Sequence, residues 1–155
     1  MTIRAATFAE DLMTFDELDN TLPNGFHDAY LHRIEMDYIT RTLQLVVVVW
    51  IGDMDDPPRK EAYRQALVTV KDVAYLVIEP PDFESPQNGG YPWEEPGEIR
   101  FDTGEGPVSQ SNTILPPAPV GTTANWMYLS DFNRCLFFAA GDATLEWTGP
   151  EEDRN

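Results

Sequence analysis

One of the two histidines of this chain stands next to an aspartate, in the segment LPNGFHDA at residues 22–29. An imidazole beside a carboxylate is the pairing that general acid–base catalysis and metal binding use. Neighbouring residues on a strand point to opposite faces, so His27 and Asp28 converge only in a loop, and the chemistry still needs a third group. Such pairs more often hold a turn, and we predict that role for Asn24, Gly25, His27 and Asp28.

The loop DMDD at residues 53–56 is a second group of candidate ligands. Carboxylate oxygens are preferred by Ca²⁺ and Mg²⁺, but the spacing differs from that of the twelve-residue calcium loop. Pro58 stands where that loop needs glycine, and Arg64 where it needs a carboxylate. The segment from Asp53 to Asp56 therefore predicts a solvated connection between two strands, and no metal ligand is assigned.

The single cysteine, Cys135, lies inside the apolar run RCLFFAA at residues 134–140. A nucleophilic thiolate needs an exposed, electropositive environment, so a buried core thiol is predicted instead. The two histidines stand five residues apart, which is not a helical metal-binding spacing, and no cysteine cluster suggests zinc. The chain contains no nucleophile elbow, phosphate-binding loop or dinucleotide fingerprint. The sequence thus leans away from an enzyme and assigns no catalytic residue and no cofactor.

Residues 79–121 differ in composition from the rest of the chain, because they contain nine of the thirteen prolines. Between Glu79 and Glu105 there are eight acidic residues and one basic residue, Arg100. Aromatic side chains set among carboxylates and prolines can anchor a basic partner. The binding candidates are therefore Tyr91, Trp93, Glu94 and Glu95. The alternative is that Trp93 folds back over one end of the core.

The formal net charge is −17, from 27 acidic and 10 basic residues. Such a surface repels phosphate backbones and anionic lipids, so nucleic-acid and membrane binding are not expected. It favours rapid association with a basic protein, although a surface that only maintains solubility is the more common explanation of such a charge. A lone cysteine and the lack of a secretory signal predict a cytoplasmic protein, and the length of 155 residues predicts a single domain spanning 1–155. The oligomeric state stays open.

The elements that must position these residues are mostly strands. Alternation over 30–38 and an apolar run over 42–51 predict a hairpin whose second strand is central and buried on both faces. Two Thr-x-x-Glu patterns, at Thr7 and Thr14, predict one or two short N-terminal helices. Further strands are predicted at 66–78, with a bulge or bend near Lys71 and Asp72, and at 98–103, 126–130, 134–139 and 143–147, with a frayed polar tail at 151–155. The fold class is a mainly-β antiparallel sandwich or open barrel of six to seven strands.

These motifs resemble a group of small uncharacterised bacterial proteins that share a Gly-Phe-His-Asp-Ala/Ser opening. The resemblance rests on that opening, on the hairpin that follows it, on DFN at 131–133 and on LEW at 145–147. Together these matches cover about half of the chain, and the Pro-rich 79–121 segment is not among them. Some members look like immunity proteins, which block a co-encoded toxin by binding it. The resemblance therefore implies binding and no catalytic residues.

We accordingly expect a non-catalytic protein-binding module, immunity-like in type, that presents an acidic face to a basic partner. The alternative from a different class is a small metal-assisted hydrolase that uses His27, Asp28 and the loop from Asp53 to Asp56. The first is favoured because the second lacks a convergent set of ligands.

Overall fold

The computed structural model describes residues 12–82, 84, 94–103 and 111–154. Helix α1 (Phe15–Thr21) precedes eight strands, and a 3-10 turn (Pro57–Arg59) follows the second of them. The strands are β1 (Ala29–Asp37), β2 (Thr42–Trp50), β3 (Ala62–Val70), β4 (Tyr75–Ile78), β5 (Ile99–Asp102), β6 (Thr123–Leu129), β7 (Arg134–Ala140) and β8 (Ala143–Asp153). The predicted mainly-β character is confirmed. Eight strands replace the expected six or seven.

All eight strands belong to one antiparallel sheet in the order β4-β7-β6-β5-β1-β2-β3-β8. Strands β3 and β4 stand near opposite ends of this order, although only residues 71–74 join them. Across a flat sheet they would be about 30 Å apart, whereas the connection from Val70 to Tyr75 spans at most roughly 18 Å. The sheet is therefore strongly curled. Its ends meet where the Lys71 N–H donates to the Asp142 carbonyl (2.8 Å) and the Gly141 N–H to the Lys71 carbonyl (2.9 Å).

The predicted hairpin is confirmed, because β1 and β2 pair from Tyr30 opposite Val48 to Asp37 opposite Thr42. The alternation within β1 is not as predicted. Register shifts between Leu31 and Arg33, so one residue is left unpaired at a bulge. Ahead of the bulge the buried positions are Ala29 and Leu31, and after it Ile34 and Met36 pack on the core. A strict alternation from Tyr30 to Met36 misses this change of face.

Strand β2 lies between β1 and β3, and its inward positions Leu43, Leu45, Val47 and Val49 are fully buried. On its other face Val48 is also buried, while Trp50 and the remaining positions are half-buried. The prediction of burial on both faces therefore holds for the middle of the strand. The outward cover comes from aromatic side chains of the neighbouring strands, described below.

Helix α1 closes one end of the core. Its N-terminus is the predicted capping box, in which the Glu17 N–H donates to the Thr14 hydroxyl oxygen and the Thr14 N–H to the Glu17 carboxylate. Phe15 stacks on Phe26 and meets the edge of Phe138, with ring centroids 5.1 Å apart in both pairs. Burial of each ring contributes about 2–3 kcal/mol to the stability of the fold. The capping box predicted at Thr7 lies outside the described residues.

Two predictions about strand ends are wrong. The single strand expected over 66–78 is two strands, β3 and β4, which separate at the predicted bend, because Asp72 takes a positive φ of 56° and turns the chain. The tail expected to fray is paired, since Glu151, Glu152 and Asp153 form ladder contacts with β3. Polarity at a sheet edge does not imply disorder, because the outward side of an edge strand faces water.

Within the described residues, no helix has the length and apolar character needed to cross a membrane.

Candidate functional site

The turn that precedes β1 is held by carboxylates of two other elements, α1 and β5. Asp19, in α1, accepts the Phe26 N–H (2.7 Å) and the Thr103 hydroxyl (2.8 Å). Gly25 has a φ of 55°, and a side chain there would meet Asp19 at 2.7 Å, so glycine is required on both counts. The predicted turn residues do lie in this turn, but the carboxylates that accept its amides are Asp19 and Asp102, not Asp28.

Asp28 leaves the turn with a φ of 55°, the left-handed conformation that aspartate tolerates better than most residues. This conformation brings its carboxylate to the same side as the neighbouring imidazole, with 3.5 Å between Asp28 Oδ2 and His27 Nε2. The third group is Asp102, at the end of β5. Its Oδ1 contacts His27 Nδ1 and accepts the Asp28 N–H (2.8 Å). These three residues are called the His27 triad below.

Within the described residues, the His27 triad is the one group of three or more potential ligands whose donor atoms all lie within 4.8 Å of one another. Asp102 on Nδ1 fixes the orientation of the ring and leaves Nε2 facing Asp28. A carboxylate on one ring nitrogen is the usual support of a histidine that binds a metal through the other. The imidazole is 58% exposed and the Asp28 side chain 48%, so water has full access to this pair.

None of the three aspartates in the 53–56 loop belongs to this group. Hydrogen bonds within the loop hold its shape. Asp53 Oδ1 accepts the Asp55 N–H (2.9 Å), and the Asp53 carbonyl accepts the Asp56 N–H. The Asp53 N–H donates to the Arg59 carbonyl, and the Arg59 N–H to the Asp56 carbonyl. Asp55 and Asp56 face solvent or are half-buried. The loop instead forms one wall of a cleft beside the triad.

This cleft, the acidic cleft, is a cavity of about 480 Å³ between the 22–28 turn and the chain that leaves β2. Asp28 and Glu61 supply carboxylates to its lining, and Trp50, Met54 and Tyr63 supply apolar surface. Trp50 and Tyr63 are paired across β2 and β3, so their rings stand side by side on the outer face of the sheet. The indole N–H donates to the Lys60 carbonyl (2.7 Å), which fixes the orientation of Trp50.

Carboxylates near the acidic cleft act on Tyr63. Burial raises the pKa of this phenol, and the neighbouring Tyr30, Glu61 and Asp28 raise it further. A negative potential of this kind disfavours any added negative charge and favours a cation.

An arginine already occupies the adjoining part of the same face. The Arg154 guanidinium lies 4.9 Å from the Tyr30 ring centroid and 5.3 Å from that of Tyr63. Both of its terminal nitrogens bond the Glu98 carboxylate, at 2.6 and 3.1 Å, and Glu98 also contacts His32 at 2.9 Å. Burial raises the pKa of Glu98, but the bonds from Arg154 and His32 outweigh it and leave the pKa lowered. Stacking and forked pairing together hold this arginine.

Cys135 is buried, as predicted for a core thiol. Burial, together with the nearby Glu79 carboxylate, raises its pKa to about 11. Glu79 accepts the Cys135 N–H (2.7 Å) and the hydroxyls of Ser111 (2.7 Å) and Thr113. The thiol is therefore protonated at neutral pH. The Glu79 carboxylate connects the 111–113 segment to β7 through these hydrogen bonds.

Of the predicted binding residues, Tyr91 and Trp93 lie outside the described residues. Glu94 and Glu95 are exposed. The sequence analysis does not predict the acidic cleft, because it begins the strand at residue 66, whereas β3 begins at Ala62 and so places Tyr63 opposite Trp50. No signal in the chain connects Asp102 with His27, because their contact depends on the pairing of β5 with β1.

No protein-family model, curated protein or solved structure matches this chain.

Proposed function

We propose that this chain is a non-catalytic module that binds a basic protein, and that the rim of the acidic cleft, formed by Glu61 and the adjoining loop from Asp53 to Asp56, is part of its binding face. The observation that carries the proposal is the distribution of charge. Within the described residues, every arginine contacts another group of the chain, whereas the carboxylates of Asp53, Asp55, Asp56 and Glu61 beside the cleft have no basic side chain within 4.0 Å.

Each described arginine contacts another group of the chain, either a carboxylate, a backbone carbonyl or an aromatic ring. These residues are Arg33, Arg41, Arg59, Arg64, Arg100, Arg134 and Arg154. Among the described residues, no basic side chain lies within 4.0 Å of the carboxylates of Asp53, Asp55, Asp56 or Glu61. Arg59, which stands in the same loop, is paired with Glu151 at 2.9 Å. The negative potential of the rim is thus available to a partner.

The test begins with capture of partners from an extract of the source cells at low salt, followed by binding measurements on the purified partner. The partner should present a basic surface, and its dissociation constant should rise at least about fivefold between roughly 50 and 300 mM NaCl. The variant Asp55→Asn with Asp56→Asn should slow association. Glu35→Gln with Glu146→Gln removes the same charge at exposed positions along the strands away from the cleft and serves as the control.

Equal binding by both double variants and the wild type, or binding that does not respond to salt, refutes the proposal. An immunity role, the function that the resemblance implies, is the case in which the partner is a co-encoded toxin. Coexpression should then protect cells from that toxin, and the Asp55 and Asp56 variant should protect less well.

A second candidate is metal-assisted hydrolysis, and the observation that favours it is the His27 triad. His27 Nε2 and Asp28 Oδ2 are the two atoms placed to bind one ion, and Asp102 would orient the imidazole. A divalent ion there would supply an activated water for attack on an ester or phosphodiester. Asp102 thus takes the place that the sequence reasoning gave to the 53–56 loop.

Calorimetry with Zn²⁺, Mn²⁺, Mg²⁺ and Ca²⁺ separates the two candidates. The hydrolase requires stoichiometric binding that is lost in His27→Ala and weakened in Asp102→Asn, together with metal-dependent cleavage of bis(p-nitrophenyl) phosphate or p-nitrophenyl acetate. Binding that persists in His27→Ala, or metal binding without cleavage, excludes it.

A further inference from the structure

The acidic cleft combines three features that seldom occur together in a cavity. It is lined by the carboxylates of Asp28 and Glu61, by the aromatic pair of Trp50 and Tyr63, and by the apolar side chain of Met54. Met54 is 64% exposed, which leaves a large apolar group at the mouth of an otherwise polar rim. A polar rim around aromatic and apolar side chains is the arrangement of an interaction hot spot.

The carboxylates determine the charge of the group that fits. Two acids in one cavity repel an anion and leave a neutral side chain without compensation for their partial desolvation. The raised pKa of Tyr63, which Glu61 and Asp28 increase beyond the effect of burial, is consistent with a negative potential inside the cleft. A cation is therefore the complementary ligand.

The aromatic pair determines which cation fits. A guanidinium is planar and weakly hydrated, stacks on aromatic rings and forms forked bonds with a carboxylate, whereas an ammonium group is compact and strongly hydrated. The chain contains the same arrangement beside the cleft, where Arg154 stacks on Tyr30 and Tyr63 and forms a forked pair with Glu98. The fixed indole of Trp50 offers the best aromatic surface for a cation.

We propose that the acidic cleft receives an arginine side chain of the basic partner protein, with Asp28 and Glu61 pairing with the guanidinium and Trp50 contacting its plane. This inference rests on the proposed function, because it names the anchor by which the partner is held. His27 lies 3.5 Å from Asp28 and competes for the same carboxylate, so an incoming guanidinium displaces a weak contact between two exposed groups.

The probes are blocked tripeptides that differ in one side chain: acetyl-Gly-Arg-Gly-amide, its lysine counterpart and its citrulline counterpart. Citrulline keeps the shape of arginine and removes the charge. Titration of ¹⁵N-labelled protein follows the indole N–H of Trp50 and the amides of Asp28 and Glu61. We expect the arginine peptide to shift these signals and to bind about threefold or more tightly than the lysine peptide, with no saturable shift from citrulline.

Variants test the assigned contacts. Glu61→Gln and Asp28→Asn should each weaken binding of the arginine peptide by about threefold to fivefold, the range of an exposed ion pair. Glu146→Gln, on the same sheet face but outside the cleft, should leave it unchanged. Trp50→Phe keeps an apolar ring and should fold, which far-UV circular dichroism checks, and should weaken binding by a similar factor. Free arginine amide distinguishes a small-molecule site: it should bind more weakly than the tripeptide.

The inference is overturned if citrulline binds as well as arginine, if no signal in the cleft shifts up to millimolar peptide, or if free arginine amide binds more tightly than the tripeptide. Its failure can be told from that of the proposed function. A basic partner whose binding depends on Asp55 and Asp56 but not on Glu61 or Trp50 leaves the module intact and removes the cleft. If an arginine peptide binds in the cleft but no basic partner is found, the arginine site is supported and the protein-binding function is not.

Discussion

Replacing Glu79 by alanine should lower the free energy of unfolding by about 3 kcal/mol. One oxygen of this carboxylate accepts the Cys135 N–H, and the other accepts the hydroxyls of Ser111 and Thr113. A hydrogen bond to a charged group contributes about 1.5–3 kcal/mol. The three bonds share two oxygens of a partly exposed group, so their contributions do not add. Truncation removes all three and leaves the amide of a buried residue without its acceptor.

Glu79→Gln is the informative companion. Its amide oxygen can still accept the Cys135 N–H, and its N–H can donate to a hydroxyl oxygen of Ser111 or Thr113. The cost should therefore fall to about 1 kcal/mol, the loss of charge alone. Urea unfolding measures both values, with an unchanged m-value showing that only stability changed. In heat, the alanine variant should melt about 6 to 12 °C below the wild type.

Glu146→Ala, an exposed glutamate of β8, is the control and should stay within about 0.5 kcal/mol of the wild type. If the free energy of unfolding of Glu79→Ala is equally close to that of the wild type, the reasoning is refuted, because the hydrogen bonds of the carboxylate would then contribute nothing to stability. Hydrogen exchange provides a local check: the Cys135 amide should exchange faster in Glu79→Ala, since its acceptor is gone.

The difference in stability between the wild type and Glu79→Gln should depend on pH, because it follows the pKa of Glu79. Burial raises that pKa, and the bonds from Thr113, Cys135 and Ser111 outweigh the effect, so the folded value lies below the ordinary one. A lowered folded pKa means stability that is complete above the unfolded pKa of about 4.3 and is lost as pH falls through the folded pKa. The advantage of the wild type over Glu79→Gln should be constant between about pH 6 and 8 and should shrink below about pH 4.

Three further predictions concern other parts of the molecule. Val47→Asp should prevent folding, because an unpaired buried charge costs several kcal/mol; circular dichroism checks this, and slow exchange of amides 43–49 in the wild type checks the central position of β2. Asp28→Ala should lower the free energy of unfolding by about 1 kcal/mol in urea, whereas Asp28→Gly should be nearly neutral, because glycine adopts a positive φ without strain. Equal costs would show that the backbone conformation is not the cause. Cys135 should resist iodoacetamide at pH 8 in the native protein and react fully in urea, and rapid native labelling, measured by mass spectrometry, would contradict its burial.

The hairpin of β1 and β2 was predictable because the information for it is local. Alternation sets the buried face of a strand, and a short connection makes two strands neighbours. The capping box at Thr14 was predictable for the same reason. The bulge after Leu31 was not, because it depends on how β1 must bend to pair with β5 and β2 together. No periodicity in a single strand records such a compromise.

The candidate site was only half visible in the sequence. The adjacency of His27 and Asp28 in the sequence indicates a pair, and its chemistry indicates that a third group is needed. The identity of that group depends on the pairing of β1 with β5, whose residues stand about 70 positions later in the chain. Long-range contact also decides the bond of Asp19 with Thr103, 84 positions later, and the cleft between Asp28 and Glu61. Short-range spacing therefore predicts which residues have suitable chemistry, and long-range pairing decides which of them meet.

The meeting of the two sheet ends at Lys71 has a consequence for how the chain reaches its native state. Tyr75 pairs with Ala139 and Ala62 with Asp153, so the strand pairs β4–β7 and β3–β8 enclose chain segments of roughly 60 to 90 residues. The entropy of closing such loops must be lost before the contacts compensate for it, which places the chain among slow folders, on the millisecond-to-second scale. A molecule in which β2 is not yet paired exposes the apolar run of that strand. The net charge of −17 makes such molecules repel one another before their unpaired strand edges can meet.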